Sequence, residues 1–510
     1  MRPRLINRGF LANPPYRLHV GYSTTRPLTS GKLSITASSN TPRSRVIREL
    51  ARYVGKSPID PRSSGVDTNG HGAAILASRD FTTWLSDESF MSSVLETLFK
   101  STSDGQTNPQ RLDILTGVVD GISSNALHGE PRTGLSILYG LTEDILPNLW
   151  DGESLQQTTG ESGTASIKFA TNPLEGDIRP LELTLPLANT VFQNGRQSTL
   201  SVSRWESSPQ GPITLKAINH KSTQSIIAYG RPASHTSSHI PLLPVTPPRK
   251  VIASLGNIVR QVEIDGSATP ASNELELLIP KILDVRSERH AAGSSSPVGV
   301  WCWVIPAHVV EAKKLLDIKV LSIESLQSEA EVADESMKIF SGLLSAGCRL
   351  HKILSGGGGW GLKQGLLSLD PETHGSFSEE DDIEMFLKSF QERNNADSSE
   401  GIVTPGSYIM FCIEPQWTEE DAVARQSSSS TQTLSLGVAP HRDFVPSSGA
   451  STDEVAVIEG HFGATSAAGL FLRTIPELSG LNMQDDTAKS LQPFTTKVDV
   501  PRACFWTGGV

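Results

Sequence analysis

The sequence predicts a mixed protein of the α/β or α+β class, built as two halves that each combine a sheet with helices. Residues 166–230 contain five short β-rich stretches, SIKFA, LELTLPL, STLSVSRW, PITLKAI and SIIAY, and such spacing is typical of strands. Apolar residues recur at helical spacing over Asp87–Lys100 and Asp334–Leu354, which indicates helices. With 510 residues and 37% hydrophobic content, the chain is long enough for two or three domains.

The order of these patterns gives a domain plan. Residues 1–45 are predicted to be a disordered mitochondrial transit peptide, and residues 46–72 a linker. An N-terminal α/β domain is expected over residues 73–235. The Pro-rich stretch 236–249 is the best candidate for a boundary, and a C-terminal α/β domain is expected over residues 250–510.

The first 48 residues are strongly basic. They carry nine Lys and Arg residues and no acid, and eleven Ser or Thr residues lie between Ser23 and Ser44. This composition is typical of a mitochondrial transit peptide, because a basic segment is drawn by the membrane potential toward a negative compartment. The sequence therefore predicts a mitochondrial protein, most naturally of the matrix. A basic disordered tail is the alternative.

The rest of the chain is acidic. Nine of the 44 basic residues lie in the first 48 positions, so residues 49–510 hold 35 Lys and Arg against 55 Asp and Glu. Bulk nucleic-acid binding is not expected, because phosphate neutralisation supplies most of that affinity. The longest uncharged apolar stretch, Pro297–Val310, is shorter than the roughly 20 residues of a membrane helix. A soluble protein without a membrane span is predicted.

The N-terminal half is predicted to begin near Ala73 with a strand and turn, AAILASRDF, followed by an amphipathic helix over Asp87–Lys100. Two apolar runs, Arg111–Val119 and Thr133–Tyr139, flank a loop that contains Gly and Ser. Such runs predict paired strands. The five stretches of residues 166–230 are predicted to form a β-sheet of several strands.

The C-terminal half is predicted to contain helices at Glu311–Leu315, Asp334–Leu354 and Glu379–Glu392. The last of these begins with Ser378 and three acids, which is typical of a helix N-terminus and not of a metal site. Strands are expected at Lys250–Ala253, Ile258–Ile264, Val298–Ile305, Ile318–Ile323, Ser407–Ile413, Thr433–Gly437, Glu454–Ile458 and Gly469–Arg473.

The most unusual stretch is a glycine run, SGGGGWGLKQGLLSLDP, at residues 355–371. Gly356, Gly358 and Gly361 satisfy the pattern G-x-G-x-x-G, but that pattern binds dinucleotides only between a strand and a helix. A helix is predicted upstream of the run, so a dinucleotide site is disfavoured. A P-loop is excluded, because Gly-Lys-Ser and Gly-Lys-Thr do not occur in the run.

Two interpretations of the glycine run remain. In the first, its amides form an anion-binding nest, with Lys352 and Lys363 beside it and Trp360 as a stacking face. In the second, the glycines end a helix and form a loop that packs Trp360 into a core. The candidate ligand-binding residues of the first interpretation are Gly356, Gly357, Gly358, Gly359, Trp360, Gly361 and Lys363.

Two further places carry candidate ligand-binding residues. In PLANTVFQNGRQST, residues 186–199, Asn189 and Arg196 are suited to grip a carboxylate or phosphate. The alternative is a polar turn with Asn194-Gly195 at its tip. His461 lies between two glycines after a predicted strand, where it could project into a site. A lone histidine is more often simply hydrogen-bonded within the fold.

The sequence assigns no metal site, cofactor or catalytic residue. His235 and His239 are four positions apart, but they lie in a Pro- and Ser-rich loop where helical spacing does not converge them on zinc. The cysteines are scattered without a C-x-x-C pair and are predicted to be buried free thiols of a reducing compartment: Cys302, Cys348, Cys412 and Cys504.

Several segments resemble known families. RLDILTGVVDGISSNALHGEPRTGLSILYGL (111–141), SYIMFCIEP (407–415) and EGHFGATSAAGLFL (459–472) resemble, in this order, parts of FIST sensory domains. That resemblance implies paired α/β domains around a cleft for a small ligand, and no catalytic residue. PLANTVFQNGRQST and the glycine run are similar to segments of fungal presequence-bearing proteins, a resemblance that implies no activity.

Three functions are predicted, in order of preference. The first is a mitochondrial protein that binds a small or anionic ligand as a sensor or accessory factor, without chemistry of its own. Its cleft would include the Gly356–Gly361 loop, Lys363 and Arg196. The second is a protein-binding factor in mitochondrial assembly or gene expression, which contacts its protein partner through Trp360 and the acidic helix. The third is an enzyme that acts on a phosphate-bearing substrate held by the glycine loop.

Overall fold

The computed structural model shows a protein of the α+β class, with mixed sheets and fewer helices. The residues that it describes are 30–54, 70–99, 110–123, 130–151, 164–207, 211–229, 234–289, 298–313, 315, 318, 320–321, 329–356, 365–373, 402–416, 432–440, 455–474 and 494–508.

Up to residue 227, the described residues form nine strands and five α-helices. The helices are α1 (Arg43–Val54), α2 (Thr82–Leu85), α3 (Glu88–Phe99), α4 (Thr142–Ile145) and α5 (Val191–Asn194). The strands are β1 (Gly31–Thr36), β2 (His71–Ser78), β3 (Gln110–Val119), β4 (Gly134–Leu141), β5 (Ser166–Thr171), β6 (Leu181–Pro186), β7 (Leu200–Ser207), β8 (Thr214–His220) and β9 (Thr223–Ile227).

The later described residues are also mainly strands. The helices are α6 (Asn273–Arg289), α7 (Ala307–Ala312) and α8 (Glu329–Ser345). The strands are β10 (Thr236–His239), β11 (Leu243–Pro244), β12 (Arg249–Leu255), β13 (Ile258–Ile264), β14 (Ser267–Pro270), β15 (Val300–Ile305), β16 (Arg349–Gly356), β17 (Leu367–Leu369), β18 (Tyr408–Ile413), β19 (Gln432–Val438), β20 (Ala456–Glu459), β21 (Phe462–Ser466), β22 (Leu470–Thr474), β23 (Thr495–Val498) and β24 (Cys504–Gly508).

Seven strands form the first sheet, in the order β20–β1–β4–β2–β3–β7–β8. Strands β2 and β3 run parallel to each other at its centre. Their sequences are nearly continuous apolar runs, as expected for strands that are buried on both faces. Ile75 packs with α1 and α3 in one hydrophobic cluster, and its neighbour Leu76 packs in a second, larger cluster on the opposite face.

Two smaller sheets lie against that larger cluster. Their orders are β23–β22–β6–β5–β9 and β10–β24–β19–β21. Phe169 of β5 and Phe462 of β21 meet in this core, with ring centroids 6.2 Å apart. Strands from the last eighty residues of the chain thus complete layers that the first half begins.

Six strands form a closed ring, in the order β18–β12–β13–β17–β16–β15, because β15 also pairs with β18. All of these neighbours are antiparallel. Side chains alternate along each strand: Phe411 joins a cluster that includes Leu275 and Ile282 of α6, whereas Met410 joins the large cluster. The ring therefore shares one wall with the main core.

The N-terminal boundary predicted at residue 45 needs correction. β1 and the start of α1 lie inside the segment 1–45 that was predicted to be disordered, and Leu33 and Ile35 are fully buried. β1 pairs on one side with β4 and on the other with β20. Leu33 and Ile35 alternate with the polar residues Ser34 and Thr36, as is typical of a strand, and all four side chains are buried.

The sheets also cross the predicted boundary at residues 236–249. β10, β11 and the first residue of β12 lie inside that stretch, and β20 belongs to the first sheet. The predicted linker 46–72 likewise holds most of α1 and the start of β2. The composition of these stretches predicts linkers because prolines and serines are frequent in them. Prolines are, however, tolerated at strand ends.

The helix predicted over Asp334–Leu354 is wrong in its second part. α8 ends at Ser345, Gly347 follows with a φ of +79°, and β16 begins at Arg349. A positive φ suits glycine and ends the helix. The predicted strand Ile318–Ile323 does not form at its described residues, Ile318, Val320 and Leu321, and the predicted helix Glu379–Glu392 lies outside the described residues.

Candidate functional site

An open groove lies between α6 and the strands of the ring, with a cavity volume of about 750 Å³. We call it the α6 groove. One wall is the first half of α6, from Ser272 to Pro280. The other wall is formed by Val298–Val300, by Lys352–Ser355 of β16 and by Leu367 of β17. Most of these side chains are aliphatic, and they lie on the edge of the hydrophobic cluster inside the ring.

The groove exists because two neighbouring strands part. The register of β15 and β16 ends with Trp301 opposite Lys352. Beyond that pair, β16 continues beside β17, with an irregularity between Ile353 and Ser355. Val298–Val300 and Ile353–Ser355 therefore face each other across open space, and α6 closes the third side. Irregularities of this kind bend a strand and often occur next to functional sites.

Lys352 is the cation of the groove. Its ammonium lies 5.5 Å from the centroid of the Trp301 ring, and it makes no ion pair with any residue that the structure describes. The Trp301 indole donates a hydrogen bond to Asp499 Oδ1 at 2.8 Å, which fixes the ring. A Cβ on Gly299 would lie 2.4 Å from this ring. Only glycine at position 299 therefore lets the ring support Lys352.

Glu414 is a second acid near this wall. Burial raises the pKa of its carboxyl group, while Arg286, the Gly299 amide and Lys352 act in the opposite direction. Arg286 is itself held by a buried two-point ion pair to Glu329, with distances of 3.0 and 2.7 Å. Two cations, Arg286 and Lys352, thus lie near two carboxylates, Glu329 and Glu414. Lys352 is the member of this group among the described residues that line the groove.

The α6 wall carries the opposite charge. Glu276 is exposed in the groove, and its carboxylate accepts a hydrogen bond from the Ser272 hydroxyl at the start of the helix. Pro280 has no N–H and cannot donate to the carbonyl of Glu276 one turn earlier. The groove thus has a carboxylate on the α6 wall and a lysine among the described residues of the other wall.

The glycine run begins where β16 ends. Gly356 is the last residue of β16, opposite Leu367 of β17, whereas Gly357, Gly358, Gly359, Trp360, Gly361 and Lys363 lie outside the described residues. The run follows a strand and not the predicted helix. A dinucleotide site stays disfavoured, because the next described element is an antiparallel strand, and the motif requires a helix there.

Asn189 and Arg196 lie in a loop beside the first sheet. The Asn189 side chain accepts a hydrogen bond from the Val191 amide at 3.0 Å, and α5 ends at Gly195 with a φ of +74°. The exposed Arg196 guanidinium contacts His220 of β8. These residues are not part of the α6 groove, which belongs to a different sheet.

His461 is buried at the start of β21, between that strand and the first sheet. Its Nδ1 lies 2.9 Å from Ser34 Oγ, and Ser34 Oγ lies 2.7 Å from Ser136 Oγ. The Ser136 hydroxyl donates to the Gly463 carbonyl at 2.7 Å. We call these four residues, Ser34, Ser136, His461 and Gly463, the His461 junction.

The hydrogen bonds of the junction surround one side of the histidine. The Ser136 hydroxyl donates to the Gly463 carbonyl, and the Ser34 hydroxyl lies within hydrogen-bond distance of the His461 carbonyl, of Ser136 Oγ and of His461 Nδ1. Nε2 of His461 is buried without a hydrogen-bond partner among the described residues. A proton there would be an unsatisfied buried donor. Burial accordingly lowers the pKa of His461 to about 4, and the Lys32 charge acts in the same direction.

The sequence predicts Lys352 as a residue beside a candidate site, but it does not predict helix α6 on the opposite wall of the groove. α6 was missed because its apolar residues surround the whole helix and Pro280 interrupts it. Helical spacing marks only helices with one apolar face. The signal that could have revealed α6 is its excess of apolar residues. Leu275 is buried against the ring, whereas Leu277 is 59% exposed. A helix that is apolar on two faces indicates contacts on two sides.

The cysteines are free; Cys302, Cys348 and Cys412 are buried and Cys504 is half-buried. Among the residues that the structure describes, no group of three His, Cys, Asp or Glu side chains is placed to hold a metal ion. No described helix is long and apolar enough to cross a membrane. No family model, curated protein or solved structure matches the chain. The α6 groove is therefore interpreted from its own residues.

Proposed function

We propose that this chain binds a small anionic ligand in the α6 groove and acts as a sensor or accessory factor without chemistry of its own. The observation that carries the proposal is an open, largely apolar concavity with one lysine, Lys352, among its described lining residues. Small-molecule sites are typically concave and mostly apolar, with a few polar groups that fix orientation.

The chemistry of the lining supports binding without catalysis. No histidine or cysteine is among the described residues that line the groove. Its carboxylate, Glu276, accepts the hydroxyl of Ser272 one helical turn away, as side chains commonly do at helix starts. A nucleophile and a base aimed at a common point are what hydrolytic or transfer chemistry needs.

A thermal-shift survey tests the proposal. The full chain is screened against nucleotides, acyl-coenzyme A esters, amino acids and organic acids. A ligand of the native state at a hundredfold excess over its Kd stabilises the fold by about 2.7 kcal/mol. We expect at least one anion to raise the melting temperature of the wild-type chain, and Lys352→Met to lose that rise.

The matched control is Lys281→Met. Lys281 is exposed on the same helix and is not among the lining residues, so this variant removes one charge near the groove without changing its surface. It should keep the wild-type response. An anion that stabilises Lys352→Met as strongly as the wild type would show that its site lies elsewhere.

We also propose that the protein is located in mitochondria, with a targeting segment that is shorter than the predicted residues 1–45. Residues 1–29 carry five arginines and no acid, which supports targeting, and β1 begins at Gly31. We therefore place the targeting segment before β1. Residues 1–29 fused to a fluorescent protein should direct it to mitochondria, and the same segment with its five arginines changed to glutamine should not.

One observation favours the protein-binding alternative. Phe192, in the loop that carries Asn189 and Arg196, is 96% exposed, and its neighbour Val191 is also exposed. Exposed aromatic residues are enriched where proteins meet. If this loop contacts a protein partner, Phe192→Ser should lose proteins that co-purify with the wild-type chain from mitochondria, and Gln193→Ser should keep them.

A further inference from the structure

We infer that the α6 groove receives a second copy of this chain, which inserts Phe192 from the loop of residues 189–196. We call this loop the Phe192 loop. The inference goes beyond the proposed function, because it assigns the groove a protein occupant and requires no bound anion. It rests on an exposed aromatic side chain on a braced loop, an open apolar concavity, and opposite charges beside the two.

Phe192 is the most exposed of the large apolar side chains that the structure describes. It is 96% exposed, and its neighbour Val191 is also exposed. In this position the ring contributes nothing to the hydrophobic stabilisation of its own copy. Burial of an aromatic side chain removes about 150 to 250 Å² of surface from water, and such residues are enriched in protein interfaces. A partner that covers the ring gains this burial.

The Phe192 loop is braced by side-chain hydrogen bonds. The Thr190 and Thr199 hydroxyl oxygens lie 2.9 Å apart, and the Asn194 side chain donates to Thr199 Oγ1 at 2.7 Å. Asn194 Oδ1 accepts from the Arg196 amide at 3.1 Å, which closes the turn after α5. A side chain on a preorganised loop loses less conformational freedom when it binds. The loop therefore holds Phe192 in a position from which it can insert.

The α6 groove offers an apolar surface to an inserted ring. Leu275 and Ile279 line its helix wall, and Val300 and Leu367 line its strand wall. Its volume of about 750 Å³ lies in the range of sites that hold whole small molecules, so one aromatic side chain fits. The Phe192 loop lies beside the first sheet and the groove belongs to the ring, so the contact joins two copies.

The two sides carry opposite charges. Arg196 lies four residues after Phe192, and its exposed guanidinium contacts His220. Burial and the Arg196 charge both lower the pKa of His220, so this ring is neutral at pH 7 and does not balance the guanidinium. In the groove, Glu276 is exposed, and the Ser272 hydroxyl that it binds is neutral. Arginine and carboxylate groups form two-point hydrogen bonds, so Arg196 of one copy pairs with Glu276 of the next.

This contact uses different surfaces on the two copies. Each copy has one Phe192 loop and one α6 groove, so its loop can bind a second copy while its groove receives a third. Contacts of this type close into rings or continue as open chains. A small ligand bound in the groove would occupy the same space as the ring of Phe192. Ligand and second copy therefore compete.

Sedimentation velocity of the full chain, from about 1 μM to about 1 mM, tests the contact over a range that covers weak protein association. We expect the mean mass of the wild type to rise with concentration. Phe192→Ser should weaken the association by about tenfold to a hundredfold, which corresponds to the burial of one such side chain. Gln193→Ser, the matched control in the same loop, should associate as the wild type does.

Charge reversal tests which surface receives the loop. Arg196→Glu and Glu276→Arg should each weaken association by at least about tenfold, because like charges then meet in the contact. An equimolar mixture of the two variants should associate again, because each loop can then meet a groove of opposite charge. Asp284→Arg makes the same charge change on α6 outside the described lining of the groove and should associate as the wild type does.

Circular dichroism and melting temperature show whether these variants fold. If Glu276→Arg does not fold, the neutral pair Arg196→Gln and Glu276→Gln replaces the two reversals. Either neutral change should weaken association, and the two together should weaken it no further, because they remove the same ion pair. Losses that simply add would mean that Arg196 and Glu276 do not meet.

The failures are distinguishable. A wild type that stays monomeric at the highest concentration, or a Phe192→Ser chain that associates as the wild type does, overturns the inference and leaves the proposed function untouched. Loss of association in Phe192→Ser with no effect of either charge reversal also overturns it, because the loop then binds outside the groove. If the mixture of reversed chains associates but no anion of the survey raises the melting temperature, the proposed function is wrong and the inference stands.

Discussion

The His461 junction lies where two sheets meet, the α6 groove lies where two strands of one sheet part, and the two differ in how their polar groups are satisfied. In the junction, hydroxyls, a ring nitrogen and backbone carbonyls form a buried cluster of hydrogen bonds. In the groove, two strands part and a lysine remains without an ion pair among the described residues. The first arrangement holds sheets together, and the second can accept a partner.

The difference teaches that the rarity of a residue pattern is a poor guide to a site. His461 between two glycines is conspicuous in the sequence, yet it is fully buried. Lys352 is inconspicuous, yet it is among the described residues that line an open concavity. What separates the two positions is access and the supply of local hydrogen-bond partners, which depend on strands that are distant in sequence.

The largest loss of stability is expected from removal of β1, the strand that contributes Ser34 to the His461 junction. A chain that starts at residue 46 lacks β1, and with it the buried side chains Leu33 and Ile35 and the links to β4 and β20. Burial of each such side chain contributes about 1.5 to 3 kcal/mol, out of the 5 to 15 kcal/mol typical of a whole domain. We expect this chain to aggregate or to lack a cooperative melting transition in differential scanning calorimetry.

The matched control is a chain that starts at residue 30. It retains β1 and should melt within a degree or two of the full chain. Equal melting temperatures for the two truncated chains would show that β1 contributes nothing to the stability of the first sheet.

The next effect comes from packing within the junction. A Cβ on Gly463 would lie 2.5 Å from His461 Cε1 and 2.7 Å from Ser123 Oγ, so Gly463→Ala should lower the free energy of unfolding by about 1 to 3 kcal/mol, as overpacking does. Urea denaturation measures the change. Gly508→Ala is the control, because its Cβ would meet no atom within 4 Å. A Gly463→Ala protein as stable as this control would show that the junction has room.

The pH dependence of stability tests the state of His461. Its pKa is lowered from 6.5 to about 4 in the fold, so between these values the unfolded chain binds the proton and the native chain does not. Stability is therefore lost as the pH falls from about 6.5 to 4. Between pH 7 and pH 5 the wild type should lose about 2 kcal/mol more than His461→Gln.

Urea denaturation at both pH values gives that comparison directly. Other groups, such as His351, also titrate, but they contribute equally to both proteins and cancel in the difference. Identical pH profiles for the wild type and His461→Gln would mean that His461 accepts a proton freely in the native state.

The smallest effect on stability belongs to the groove. Leu354 is 58% exposed, so Leu354→Ser should change the free energy of unfolding by no more than about 0.5 kcal/mol. Leu275 is 7% exposed on the facing helix, and Leu275→Ala should cost about 2 to 5 kcal/mol. Urea denaturation of the two variants distinguishes the exposed rim of the groove, at Leu354, from its buried wall, at Leu275. A large loss for Leu354→Ser would mean that the rim is packed.

Much of the fold could be predicted from local patterns. The alternation in SIKFA and LELTLPL corresponds to β5 and β6, and the apolar stripe of Asp87–Lys100 to α3. The prediction was wrong where the spacing of apolar residues fits both a helix and a strand. Leu350 and Leu354 continue the helical spacing of α8 but also alternate along β16, and the positive φ of Gly347 decides for the strand.

The site was less predictable than the fold. Lys352 was named beside the glycine run, but the facing wall comes from residues 272–280, more than seventy positions earlier. A pairing at that distance depends on how the ring closes, and no local pattern reports it. The buried position of His461 depends in the same way on β1, since its partner Ser34 is 427 positions away.

That distance has a consequence for how the protein is made. The first sheet needs both β1 and β20, and the ribosome adds about 5 to 20 residues per second. A gap of 427 residues therefore corresponds to roughly 20 to 90 seconds of synthesis. Throughout that time one edge of β1 has no strand to pair with, and open edges invite aggregation. The edge of β1 is covered only after β20 has been made.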